Sequence, residues 1–282
     1  MTGGSGTGVT VRRTVVVTRP AGDAAALVAA LHARGHDVVA MPVIAIEAAA
    51  DPAALDAAMA ALERYAIVVF VSPNAIRRAL AARAGPWPDD VTIGVMGPGS
   101  VDALRTLGIA SPAHRVVSPR VAAVPAEQRY DSEALFDALD ATGGLARGFS
   151  GRVLIVRGNG GRAWLAERLR GLGIAVDEVE AYRRVRPAAD ATARAALVSL
   201  AAAGNAATLV VTSSEGVAHL VAIVDEALVR DSGMDTATVR RWLYANPVVA
   251  PHARIADRAR AAGFTDVTLC APGDRGIVAA IE

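Results

Sequence analysis

Short apolar runs rich in β-branched residues recur along the chain, each followed by a polar or glycine-bearing turn and an alanine-rich stretch with larger apolar residues three or four positions apart. That alternation predicts strands feeding helices. Strands are expected at 14–18, 67–71, 92–96, 116–118, 153–156, 176–181, 208–211, 248–249 and 267–270. Helices are expected at 24–34, 52–65, 75–84, 101–107, 132–139, 162–172, 191–202 and 275–281, with two more opening after Thr212 and after His252. Asp23, Asp51 and Ser72 stand where N-caps belong, and Gly35, Gly173 and Gly263 where helices stop. Residues 38–47 form an extended segment interrupted by Pro42, which cannot donate to a ladder and so marks an edge or a crossing rather than a central strand.

The pattern repeats. Val15-Val16-Val17-Thr18-Arg19 aligns with 153–157, Gly35 falls where Gly173 does, 68–75 corresponds to 209–216, and 116–119 to 267–270. Strands alternating with helices imply parallel sheets covered on both faces. The expected fold class is therefore α/β, with two doubly wound, flavodoxin-like domains related by internal duplication.

Composition narrows the functional classes. Hydrophobic residues make up 53% of the 282, but alanine supplies much of that, and charges interrupt every run before the roughly 18 consecutive apolar residues of a membrane span. A formal net charge of +1 gives no general attraction to nucleic acid or to anionic membrane. One cysteine, Cys270, excludes an intrachain disulfide and, with no neighbouring group to activate it, reads as a small buried side chain. Residues 1–11 are expected to form a disordered tail without the pattern of a secretory signal, and the protein is expected in the cytoplasm, as a monomer.

In doubly wound sheets ligands gather outside the carboxyl ends of strands, where turns feed helix N-termini. The turns of that kind are Thr18-Arg19, Ser72-Pro73-Asn74, Gly97-Pro98-Gly99, Arg157-Gly158-Asn159, Thr212-Ser213-Ser214 and Pro251-His252. Together their N–H groups suit a polyanion. The five histidines lack metal-ligand spacing, and neither a G-x-S-x-G elbow nor a Walker loop is present. Two other classes remain. Gly158-Asn159-Gly160-Gly161-Arg162-Ala163 formally fits G-x-G-x-x-[GA], with Glu180 at a ribose-binding distance, which would make an NAD(P)-dependent oxidoreductase. A two-lobed small-molecule-binding protein without catalysis is the other.

Taken in order, Val17-Thr18-Arg19-Pro20, Met41-Pro42-Val43, 70–75, Val95-Met96-Gly97-Pro98, Val156-Arg157-Gly158, Glu180-Ala181-Tyr182, Val211-Thr212-Ser213-Ser214 and Gly263-Phe264 resemble the uroporphyrinogen-III synthase family. The resemblance implies opening βα units exchanged between two lobes and a two-stranded connector. Residues 12–43 with 184–282 would form one domain, 47–181 the other, and 44–46 and 182–183 the connectors. It implies a lyase of haem and other porphyrin biosynthesis that closes hydroxymethylbilane into uroporphyrinogen III, with loss of water, inversion of the last ring, and no cofactor or metal. Tyr182 matches the tyrosine that the family places near the departing hydroxyl. Arg19, Ser72, Pro73, Asn74, Gly97, Arg157, Gly158, Thr212, Ser213, Ser214 and His252 would bind the carboxylate arms, His252 standing where relatives commonly carry a small hydroxyl residue.

Overall fold

Most strands of this chain are short and buried on both faces, so they need helices above and below them. The computed structural model describes residues 12–119, 130–187, 191–231 and 236–282, and the tail expected at 1–11 lies outside them. The chain forms two compact units, Met1–Ala45 with Val185–Glu282, and Ile46–Arg184. No helix among the described residues is long and apolar enough to cross a membrane.

The first unit opens with β1 (Thr14–Val17), α1 (Ala21–Ala33) and β2 (Asp37–Ala40). Its helix starts three residues earlier than the sequence suggests. Pro20, at φ −49°, occupies the N-cap position without a side-chain bond, so Asp23 is not the cap. Asp23 instead lies in the first turn, where a carboxylate meets the positive end of the helix dipole. Gly35 ends the helix at φ +81°, a backbone shape only glycine adopts without strain.

The extended segment around Pro42 divides. Its first part is β2, at the edge of one sheet, and its second is β3 (Ala45–Ala48), at the edge of the other. The second unit continues with α2 (Pro52–Ala60), β4 (Ile67–Phe70), α3 (Pro73–Ala82), β5 (Thr92–Val95), α4 (Pro98–Thr106), β6 (Val116–Val117) and α5 (Ser132–Gly143). It ends with β7 (Arg152–Gly158), α6 (Trp164–Gly171) and β8 (Ala175–Val185). Helix α4 begins at Pro98, not at 101, because a proline in the first turn loses no hydrogen bond. The chain then returns to the first unit with α7 (Ala191–Ala202), β9 (Thr208–Val210), α8 (Ser214–Asp231), α9 (Thr236–Ala245), β10 (Val248–Ala250), α10 (Ala253–Ala261), β11 (Val267–Leu269) and α11 (Asp274–Ile281).

The two sheets have one topology. Strand order is β11-β10-β9-β1-β2 in the first unit and β3-β8-β7-β4-β5-β6 in the second. Setting β3 aside, β6-β5-β4-β7-β8 repeats β11-β10-β9-β1-β2 strand for strand. The pairings β1–β2, β1–β9, β9–β10, β10–β11 and β4–β5, β4–β7, β5–β6, β7–β8 are all parallel. In each sheet the strands therefore combine the opening pair of one half of the chain with the later strands of the other half. The opening units are exchanged.

Burial follows the strand pleat. In the second unit Val68 and Phe70 of β4 join Ile93, Leu154 and Val156 under α2, α3 and α4, while Ile67 and Val69 join Val153 and Ile155 under α5 and α6. A four-residue strand thus feeds two cores, which is why it reads as an unbroken apolar run. In the first unit Val15, Val17, Val210 and Val249 pack with Leu27 and Leu31 of α1 and Ile277, Val278 and Ile281 of α11.

Candidate functional site

Each sheet has one place where successive connections leave in opposite directions. In the second unit it lies between β7 and β4, since the chain leaves β7 for β8 on one side and β4 for β5 on the other. In the first unit it lies between β1 and β9. The crevice outside the carboxyl ends at such a point is where doubly wound folds bind ligands.

At the β7–β4 point the structure brings Tyr182, Ser72 and Gly158 into contact. Gly158 ends β7, and the register passes from Arg157 opposite Glu180 to Gly158 opposite Tyr182, leaving Ala181 as the extra residue of a bulge. Bulges re-aim side chains. Here the Tyr182 ring lies across Gly158, where an added Cβ would come within 2.8 Å of its Cζ. The ring is 5% exposed, and its hydroxyl lies 3.0 Å from Ser72 Oγ. Ser72 is the N-cap of α3, accepting from the Ala75 N–H at 3.2 Å. The backbone beyond Tyr182 is fixed as well. Asn159 N–H donates to the Tyr182 carbonyl at 3.1 Å, and the Asn159 amide bonds both the N–H and the carbonyl of Arg184, at 2.9 and 3.2 Å.

The neighbouring turns follow along the same edge. Pro73 and Asn74 open α3, where Asn74 Oδ1 accepts from Arg77 at 3.0 Å. A Cβ on Gly99, the second residue of α4, would lie 3.9 Å from Pro73, so the starts of α3 and α4 adjoin. Gly97 caps α4 in an extended conformation that any residue adopts; its lack of a side chain makes room instead for the Tyr130 ring, 3.3 Å from where a Cβ would stand. Tyr130 is 48% exposed and was not singled out by the sequence pattern. The available signal was an aromatic directly before Asp131, the N-cap of α5.

Arg157 faces its own turn. Its Nη1 pairs with Glu178 at 2.7 Å and its Nη2 donates to the carbonyls of Gly160 and Gly161 at 3.1 and 3.0 Å. This also disposes of the dinucleotide fingerprint. Gly158 is strand, α6 starts only at Trp164 with no side-chain cap, and Glu180, the expected ribose acid, accepts from Ala50 N–H at 2.8 Å. The glycine run is a strand end held shut by an arginine.

At the β1–β9 point Thr18 closes the strands together, its hydroxyl donating to the Val210 carbonyl at 2.8 Å. Arg19 pairs with Asp274, in the first turn of α11, at 2.5 Å. Thr212 and Ser213 are half-buried after β9, and Ser213 Oγ accepts from Gly216 N–H at 2.9 Å to cap α8. Ser214 Oγ lies 3.5 Å from the Arg254 carbonyl. His252 is exposed at the N-cap of α10 and makes no capping bond with its side chain. Cys270 follows β11 and is partly exposed rather than fully buried; burial pushes its thiol up, against smaller opposing effects of a backbone hydrogen bond and of the Arg19 charge.

A cavity of about 640 Å³ opens at the other end of the second sheet. It is lined by Ile67, Thr92 and Val116 at the strand starts and by His114 and Arg115, so it is remote from the turns that carry Ser72 and Gly158.

Residues 25–273 match the sequence model of a family described as uroporphyrinogen-III synthase HemD. Among solved structures, the chain is similar to a mutant uroporphyrinogen III synthase from Thermus thermophilus, at 16% identity and a TM-score of 0.52, over 95% of this chain and 96% of that one. It is also similar to a uroporphyrinogen-III synthetase from Helicobacter pylori, at 13% identity and a TM-score of 0.51, over 96% and 98%. At these identities the structural likeness speaks for the fold, and the family match speaks for the chemistry.

Proposed function

Because the chain belongs to the uroporphyrinogen-III synthase family, we propose that it performs the family's ring closure with the residues gathered at the carboxyl ends of its strands, Tyr182 foremost. It is a cyclising hydro-lyase of tetrapyrrole biosynthesis. The substrate is hydroxymethylbilane, a flexible linear tetrapyrrole with acetate and propionate arms, and the product is uroporphyrinogen III.

The substrate loses its hydroxyl readily, so the protein's main contribution is geometric: it holds the chain so that closure inverts the last ring instead of joining the ends directly. Tyr182 donates a hydrogen bond to the departing hydroxyl. A phenol hydroxyl is a hydrogen-bond donor and can do so. The observation that carries this reading is the 3.0 Å approach of the Tyr182 hydroxyl to Ser72 Oγ beside Gly158, which holds a phenol at the edge where the fold places ligands. In the same unit Pro73, Asn74 and Gly97, and at the strand ends of the other unit Arg19, Thr212, Ser213, Ser214 and His252, meet carboxylate arms through hydroxyls, side-chain donors and helix starts. Gly158 serves as the seat of the ring, and Arg157 holds the adjoining turn. The reaction needs no cofactor, and the protein works as a cytoplasmic monomer.

The test is to supply hydroxymethylbilane, oxidise the products and separate the isomers. Uroporphyrinogen III should dominate. A mixture containing only the type I macrocycle, formed at the rate seen without protein, would refute the reading.

A further inference from the structure

Ser72 has one hydroxyl proton and two lone pairs, and the structure accounts for where they go. One lone pair takes the Ala75 N–H at 3.2 Å, Ala75 being the third residue of α3 and so within reach of the N-cap side chain. The nearest other partner is the Tyr182 hydroxyl, at 3.0 Å. Two arrangements of this pair are available. If Tyr182 donates to Ser72, its proton is spent inside the pair and none is left for a ligand. If Ser72 donates to Tyr182, the phenol proton points away from the serine and is free to act. A phenol is by itself the stronger donor of the two, but the N–H bond from the start of a helix polarises Oγ and works toward the second arrangement, making the serine O–H a stronger donor and Oγ a weaker acceptor.

We infer that Ser72 is a positioning residue which donates its hydroxyl proton to the Tyr182 oxygen and so turns the phenol O–H outward, rather than a ligand for a substrate carboxylate. This rests on the proposed role of Tyr182. The surroundings leave the pair little freedom to rearrange. The tyrosine ring is 5% exposed and lies across Gly158, where a Cβ would stand 2.8 Å from Cζ, and Asn159 N–H holds the Tyr182 carbonyl at 3.1 Å. Only the hydroxyl's direction is left to set, and Ser72 sets it.

The two functions of Ser72, capping α3 and donating to Tyr182, separate by substitution. Ser72→Gly removes the hydroxyl at little cost to the helix start and adds no charge, and Ser72→Thr keeps both functions. Steady-state kinetics on the wild type, Ser72→Gly, Ser72→Thr, Tyr182→Phe and the Ser72→Gly, Tyr182→Phe double variant, with a melting curve for each, form the experiment. Ser72→Gly should lower kcat about 10-fold with KM within about twofold and little change in melting, Ser72→Thr should restore turnover, and Ser72→Gly should cost nothing further once the Tyr182 hydroxyl is gone. An equal loss with and without the Tyr182 hydroxyl, or a rise in KM at unchanged kcat, overturns the inference while leaving the ring-closing activity in place. A wild-type protein that yields only the type I macrocycle removes the inference and the role of Tyr182 together.

Discussion

Gly158 shows how one missing side chain fixes the place of another. Its sequence context suggested a phosphate-cradling turn, but what it provides is a flat seat for Tyr182, which follows it by 24 positions and meets it only through the bulge at Ala181. Ser72 lies 110 positions from Tyr182. Gly158 and Ser72 stand out in the sequence by their turns, and Tyr182 by the family resemblance, yet the contacts of Tyr182 with both are not legible there, because strand pairing and not local pattern creates them. Gly158→Ala should push the ring off its seat, lowering turnover about 10-fold and destabilising the protein by about 2 kcal/mol, measured by isomer-resolved kinetics and denaturant titration. For Arg157→Gln a different result is expected. With Nη1 on Glu178 and Nη2 on two carbonyls, the loss should appear as a melting point lower by a few degrees at unchanged KM. A KM raised several-fold would show that the guanidinium meets substrate after all. Tyr65 supplies a pH test in the same unit. Burial pushes its phenol up, and the bond to Asp177 at 3.0 Å and that carboxylate's charge push it further. A folded-state value above the unfolded one means the stabilisation is complete below about pH 10 and is lost as pH rises through the folded value. Melting temperatures should fall above about pH 10, and more steeply in wild type than in Tyr65→Phe.

Among the elements, those defined by local chemistry were legible and those defined by packing were less so. Asp51 before Pro52 reads as an N-cap, and in the structure its carboxylate accepts from Ala54 N–H at 3.2 Å. Asp51→Ala should cost about 1 kcal/mol in denaturant titration and leave the isomer ratio untouched, since α2 lies outside the strand-end turns. Helix α9 escaped notice although Val239, Trp242 and Leu243 carry the three- and four-residue spacing of a buried stripe; the two arginines between them masked it. Helix α11 illustrates a constraint that no local pattern reveals. Within it, a Cβ on Gly276 would run into the backbone carbonyl of Ala271, which cannot move aside as a side-chain tip can. Gly276→Ala, ordinarily favourable in a helix, should here cost about 3 kcal/mol, visible as a lowered denaturation midpoint.

For the whole molecule, alternation of strands and helices is enough to imply two parallel sheets, but it does not say which strands share a sheet. Chain order alone does not set β1 between β2 and β9, where the hydrogen bonds place it. The consequence for folding is asymmetric. The second unit is a single stretch, Ile46–Arg184, that contains or borders every strand of its own sheet, whereas the first needs Met1–Ala45 and Val185–Glu282 at once. Without the opening segment, β9, β10 and β11 lose β1, against which β9 pairs and whose Val15 and Val17 fill the core beneath α11. A fragment spanning 45–185 should therefore unfold cooperatively by itself, as a single domain of ordinary size does. A fragment spanning 185–282 should show no cooperative transition until a peptide of residues 12–45 is added, and should then gain helical circular dichroism with saturable dependence on the peptide. A fragment of 185–282 that folds cooperatively without the peptide would mean that β1 is dispensable to its sheet. The exchange would then be a matter of chain routing and not of stability.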